Sequence, residues 1–321
     1  MLEFFDMLMW PIKWLLEAVL VGFHWVIEQA GMDPASGLAW ILSIAGLVLV
    51  VRTAMIPLTI KQIKSSRKAL EVAPEVKKIQ DKYKGKKDNL SREAMNREVM
   101  DVYKRAGTNP MASCLPLLVQ MPIFLGLVQV LNTANQGRAG VGAMAEPLAV
   151  QFQQASLFDV VPLHMSLEAG VGAWNWPVIF TAGLLTVIMV SAQFYTQLQI
   201  MTKNQTPQMK ESPMYKQQRI MLYIIPFFLL ITAWIFPLAT MFYWLVSNIY
   251  TLVQQLIIIN RMPNPGSDAA RAREERMARK RQRLGLPAVD ESGEAPEEEE
   301  NLIQNLQRKQ PKRKGPRSDR N

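Results

Sequence analysis

Arg52 is the one charged residue between Gly37 and Ile60, with fifteen uncharged residues of that stretch before it and eight after. At about 1.5 Å of helix per residue it lies roughly 13 Å from Lys61, the next charge. A guanidinium that deep in apolar sequence costs several kcal/mol unless it meets water or polar partners. Snorkelling to the headgroups is weak, since nine residues is far for one side chain. A structural ion pair is weaker, because no Asp or Glu lies in any of the five apolar stretches described below. A hydrated cavity remains. There, the chemistry open to Arg52 is electrostatic attraction of acidic or polar groups.

Other polar side chains share that depth. Gln120 lies about ten residues into the second apolar stretch. Gln193 and Gln197 lie late in the third, and Ser247, Asn248, Thr251, Gln254 and Gln255 lie late in the fifth. A single glutamine in a membrane helix is usually an interhelical hydrogen bond. Here the polar groups collect in the halves that charge assigns to the cytoplasmic leaflet. That bias predicts a groove open to the cytoplasm and closed outward, since a through-pore needs polar residues at all depths.

The elements that must hold these residues follow from charge and length. No Asp, Glu, Lys or Arg occurs in residues 106–137, 169–202 or 220–260. A helical span needs about 20 apolar residues. The spacing predicts spans at 37–60, 111–131, 176–201, 220–235 and 238–259, the last two divided at Phe236-Pro237 because proline breaks a helix. Basic residues number 1, 14, 1, 4 and 15 in segments 1–36, 61–105, 132–173, 200–219 and 261–321. Positive residues stay inside. With five spans, this predicts a plasma-membrane protein with its N-terminus outside and its C-terminus in the cytoplasm.

The fold class expected is an all-α polytopic membrane protein with five transmembrane helices, an outer interfacial helix and a cytoplasmic helical hairpin. Its segments are 1–36 (outer amphipathic helix and turn), 37–60 (first span), 61–105 (hairpin), 106–135 (second span), 136–173 (outer loop), 174–201 (third span), 202–218 (cytoplasmic loop), 219–261 (fourth and fifth spans) and 262–321 (tail). In the first segment Lys13, Glu17, His24 and Glu28 share one helical face, and Trp10, Trp14 and Trp25 are interfacial aromatics. This reads as a helix lying on the outer surface, opened by Pro11; the alternative is a sixth span with a polar stripe. The acidic start and the lack of a cleavage site argue against a signal peptide.

In the hairpin, Val72, Val76, Ile79 and Tyr83 face Met95, Val99, Val102 and Ala106 across a turn at 84–89, with Ser91 expected to cap the second helix. The hairpin reads either as a solvated loop held near anionic lipid or as a docking arm for a partner. In the tail, Arg271–Arg283 and Arg308–Arg320 are basic, with acidic residues 290–300 between them, a composition that reads as disordered. Having no aromatic residue, it offers electrostatic contact to lipid or RNA phosphates and no base stacking.

The composition excludes a soluble enzyme and a disulfide-rich chain. One cysteine, Cys114, and two histidines make a zinc site unlikely to form, and no phosphate loop, zinc-protease pair or dinucleotide fingerprint is present. No cofactor is implied. A triad from Asp159, His164 and Ser166 in the outer loop has little to support it.

Three motifs carry a family resemblance. They are residues 51–59 (VRTAMIPLT), Asn109-Pro110 running to 116–124 (PLLVQMPIF), and Phe236-Pro237 followed by 242–248 (FYWLVSN) and Gln254-Gln255. The chain resembles the YidC membrane-protein insertases over about residues 10–262. The resemblance implies five spans, an outer interfacial helix, a cytoplasmic hairpin and an inner-leaflet groove. It implies that Arg52 is the groove arginine, Gln120 its polar neighbour and Trp244 part of the fifth-span wall, with Gln193 or Gln197 facing in from the third span. Clients would be nascent membrane proteins, delivered by a ribosome or targeting factor to the hairpin and tail, alone or beside the Sec translocon. One departure is Val48, where several relatives carry a polar residue one turn before the arginine. Without a large outer domain or a transit peptide, the layout is closest to Gram-positive or actinobacterial members. A small-anion transporter with Arg52 as binding charge, or a lipid scramblase, are the competing functions; a transporter would show outer-leaflet polar residues and often an inverted repeat.

Overall fold

The computed structural model describes residues 2–86, 88–109, 115–206, 210 and 213–285. Cys114, Pro110 of the second motif, and the tail's acidic and second basic runs lie outside the described residues. The molecule is an all-α polytopic membrane protein. Among the described residues six helices are long and apolar enough to cross a membrane by length and composition. Five answer to the expected spans: α2 (Gly37–Ala54), α6 (Leu115–Asn135), α9 (Trp176–Lys203), α10 (Pro213–Ile235) and α11 (Leu238–Arg261). The sixth is α1 (Leu2–Gln29).

Local chemistry sets the boundaries. Ser36 caps α2 by accepting the Ala39 amide at 3.2 Å, and Asn175 caps α9 by accepting the Val178 amide at 3.3 Å. α2 stops at Ala54, six residues before the expected end. After Met55 the chain re-enters a helix, α3 (Ile56–Glu71), with Pro57 in its first turn, where a missing amide costs nothing. Pro237 separates α10 from α11, as expected. Pro122 and Pro226 sit inside α6 and α10.

In the bundle, α2 packs on α1 and α11, α11 on α9, and α9 on α10, while α6 rests mainly on α1. Close approach depends on two glycines. A Cβ at Gly46 would lie 2.4 Å from Cδ1 of Phe23, and one at Gly126 would lie 3.1 Å from Cγ2 of Ile12. The larger apolar core joins Leu16, Leu20, Trp40, Ile44, Leu47, Leu127 and Leu131.

α1 turns part of its polar stripe inward: Glu17 and His24 are buried, Lys13 is half-buried and Glu28 is exposed. Met7, Leu8, Trp10, Trp14, Leu15, Trp25 and Val26 are exposed. The buried groups sit against protein, which supplies partners that lipid cannot.

The segment between α6 and α9 is folded rather than an irregular loop. It holds α7 (Glu146–Gln154), a small antiparallel hairpin of β1 (Ser156–Leu157) and β2 (Val161–Pro162), and α8 (Leu167–Gly172). Its backbone pins the start of α11: Leu238 donates to the Met165 carbonyl at 2.9 Å and Ala239 to that of Leu163 at 3.0 Å. His164 meets the Gln153 carbonyl and Ser166 caps α8, so no triad forms with Asp159.

The expected helical hairpin is α4 (Ala73–Lys82) against α5 (Asn89–Arg105), with Val76 and Val102 buried between them. Asp88, not Ser91, is the N-cap: it accepts the Ser91 amide at 2.8 Å, which draws its carboxyl below the usual carboxylate range. Part of the tail departs from disorder. α12 (Asp268–Arg283) is a helix capped by Ser267, and Ala269 and Ala270 are buried. Asn204 and Asn264 tie its base to the end of α9 through two 2.8 Å bonds.

Gly46→Val is expected to lower the unfolding temperature in detergent through overpacking of about 1–3 kcal/mol, and Phe23→Ala in the same chain to recover most of that loss. Failure to recover would place the damage elsewhere. A second outcome concerns the hairpin. Lys82 at 2.7 Å and the Tyr83 hydroxyl at 2.8 Å hold the Glu98 carboxyl below its ordinary value. A depressed carboxyl stabilises the fold above its unfolded pKa, and the gain fades as pH falls through the lowered value. Amide exchange in α4 and α5, corrected for intrinsic rate, should lose protection below about pH 4, and Glu98→Gln should abolish that step.

Candidate functional site

Arg52 projects from α2 towards α11 and donates to Oγ of Ser247. Tyr243 and Tyr250, on the same helix, stand near enough to interact electrostatically with the guanidinium. Thr53 and Tyr250 meet through their hydroxyls at 3.5 Å. Among the described residues no carboxylate pairs with Arg52. Hydroxyls thus take the place of a counter-ion. They give a cation hydrogen-bond acceptors without neutralising it, so its charge remains free to act on a third group.

Beside this cluster lies a small cavity of about 10 Å³, near the lower limit for one water molecule. Arg52, Gln120 and Tyr243 are its polar lining, and Leu16, Leu47, Val48 and Leu127 supply apolar wall. Arg52 and Gln120 are therefore brought together, from α2 and α6, as the sequence predicts. The enclosed space itself is far smaller than a groove.

Packing density changes along the helices at this level. In α2 the buried residues run from Gly37 to Val48 and stop before Arg52. In α6, where burial is described, the buried residues begin at Gly126, past Gln120. In α11 they cluster from Leu238 to Tyr243, with Ser247 and Ile259 beyond. On these three helices burial thins beyond Arg52, while α9 keeps buried residues at both ends, from Val178 to Met189 and again at Thr196, Gln199 and Met201. Arg52 and Gln120, each half-buried, stand at the boundary.

Trp244 spans the gap between two helices. Its ring stacks on Phe124 of α6 at 6.0 Å between centroids and meets Phe236 edge-on at 5.1 Å. The remaining sequence candidates, Gln193 and Gln197 on α9 and Asn248 and Gln255 on α11, are half-buried and do not line the cavity.

Comparison with known proteins bears on this arrangement. The family model described as "60Kd inner membrane protein" matches residues 31–265. The chain is 43% identical over 282 residues to "Membrane protein insertase YidC" of Tropheryma whipplei (strain Twist), covering 86% of this chain and 91% of that protein. It is 38% identical to the protein of that name from Streptomyces avermitilis over 83% of this chain and 61% of the other, and 33% identical to that from Bifidobacterium longum over 95% and 92%. The chain belongs to the YidC family.

Val48 is buried and forms part of the cavity wall beside Arg52, so the wall is apolar one turn before the arginine. Two participants escaped the sequence reading as site residues, Tyr243 and Tyr250. Together with Ser247 they fall at i, i+4 and i+7, one helical face. That hydroxyl spacing was the available signal, hidden by the more conspicuous amides at 248, 254 and 255.

Ser247→Ala should leave the guanidinium short of an acceptor and lower stability by about 1–3 kcal/mol, the cost of removing a bond to a charged group. Denaturation in detergent would measure it. In an Arg52→Met background the same change should cost little; an equal cost there would show that the hydroxyl acts without the arginine.

Proposed function

We propose that this chain is an insertase that moves short hydrophilic segments of nascent membrane proteins outward while releasing their apolar helices into lipid. The observation that carries this reading is the fall in burial beyond Arg52 along α2, α6 and α11. We place the densely buried side towards the outside and a hydrophilic groove, open to the cytoplasm, on the other. Arg52, Gln120, Gln193, Gln197, Trp244, Asn248 and Gln255 border that groove. The names of the relatives support the same activity.

The physical work is a reduction of desolvation. A polar client segment drawn to Arg52 has less apolar thickness left to cross. The exposed apolar faces of α9 and α10, among them Phe180, Leu184, Val187, Ile224 and Phe227, are where the client's own helix partitions into lipid. Burial of apolar area drives that step, at roughly 25 cal/mol per Å². The basic hairpin and tail receive the client from a ribosome or targeting factor, and the chain works alone or beside the Sec translocon. No nucleotide or other cofactor takes part.

The proposed topology puts the hairpin and C-terminus in the cytoplasm of a plasma-membrane protein and the N-terminus outside. The contacts of α1 support its outer placement. From Trp14 to His24 it touches the outer segment, at Val141, Gly142 and Gln151.

Photo-crosslinkers at Gln120 and Trp244, probed with stalled nascent chains of a small single-span protein, should give adducts that depend on client length. Absence at both sites in folded protein would overturn the groove as the insertion path and bring a small-anion transporter or lipid scramblase forward. Arg52→Ala should slow insertion by at least about tenfold, a loss of roughly 1.4 kcal/mol. Arg52→Lys should retain most activity if charge rather than fork geometry is what the client reads.

A further inference from the structure

Glu17 lies in the middle of α1 and is 1% exposed. Its Oε1 accepts the Val141 amide at 2.9 Å and its Oε2 accepts the Gly142 amide at 2.7 Å. The segment it holds is itself a closed turn, with Gly140 donating to the Met144 carbonyl at 2.8 Å and Met144 buried. The fit depends on missing side chains. A Cβ at Gly140 would stand 2.2 Å from Glu17 Oε1, and one at Gly142 would stand 2.5 Å from Trp14 Cδ1. A buried carboxylate is expensive unless its oxygens are hydrogen-bonded. Here the two amides are of a turn that follows α6, so the bond joins α1 to the outer end of α6.

The neighbouring residue gives the clamp its use. Leu16 packs against Gly126 of α6, 3.3 Å from where a Cβ would be, and lines the cavity that holds Arg52 and Gln120. With Leu47, Val48 and Leu127 it is the apolar lid over the arginine on the outer side. α6 has little other anchorage across the cavity; its approach to α11 is chiefly the Phe124–Trp244 stack.

We propose that Glu17 is a positioning residue for insertion: its two-amide clamp fixes α1 to the outer end of α6, so that Leu16 seals the groove against the outside. This rests on the insertase reading and assigns the seal to one side chain. Breaking the clamp would let water reach Arg52 from both faces, and the groove would lose its one-sided polarity.

The experiment uses the full chain in inverted and right-side-out vesicles, in a Cys114→Ser background with Gln120→Cys as reporter. With Glu17 intact, a membrane-impermeant maleimide should label the reporter from the cytoplasmic face alone. Glu17→Gln, which turns one acceptor into a donor facing an amide, should allow labelling from the outside, with a rise of about tenfold or more, the loss of one hydrogen bond to a charged group. Gly142→Val, which displaces the turn through Trp14, should give the same outside labelling by an independent route. Labelling confined to the cytoplasmic face in both folded variants would overturn the seal, whatever insertion does. Reporter labelling from neither face in the intact chain would instead overturn the cytoplasm-open groove, and so separates failure of the functional reading from failure of the clamp. If Glu17→Gln does not fold, Gly142→Val alone decides.

Discussion

The structure is organised around a guanidinium that meets no carboxylate among the described residues. In a medium without water, a cation must be paired, hydrated or moved out. Arg52 is given a third arrangement: a hydroxyl acceptor from Ser247, the dipoles of two tyrosines, and a half-exposed position at the edge of the packed bundle. Each neighbouring element answers to that need. α11 supplies the hydroxyls, α6 brings Gln120, and α1 covers the outer side with Leu16. Were a carboxylate present, the charge would be cancelled.

The uneven packing follows from the same constraint. Outward of Arg52, tight contacts such as Phe23 against Gly46 and Trp40 against Phe152 exclude water. On its other side α2, α6 and α11 bury fewer residues, and Gln120, Asn248 and Gln255 are half-buried. A uniformly packed bundle would strand the charge, and a uniformly open one would let ions through. The unequal burial on the two sides of Arg52 avoids both.

Much of this is legible in the sequence because charge and length are properties of single segments. The uncharged blocks give the spans, Pro237 gives the last division, and the isolation of Arg52 between Gly37 and Ile60 marks the site. What the sequence hides is whatever depends on a distant partner. The stripe of Glu17 and His24 is plain as a stripe, but its direction is set by amides at Val141 and Gly142 that no local pattern announces. The helix at Asp268–Arg283 is masked by a composition that suggests disorder, although Ser267 caps it and Asn264 anchors its base. The folded outer segment consists of elements too short to show a period.

Proline at position 122 has a consequence of a different kind. It has no amide, so the carbonyl of Leu118, one turn earlier in α6, lacks its usual donor. Leu118 is exposed and lies within a turn of Gln120. A carbonyl that has lost its helical donor within an apolar layer attracts any other that comes by. Any donor reaching this face of the helix would find a main-chain acceptor blind to side-chain identity, a foothold open to every sequence alike.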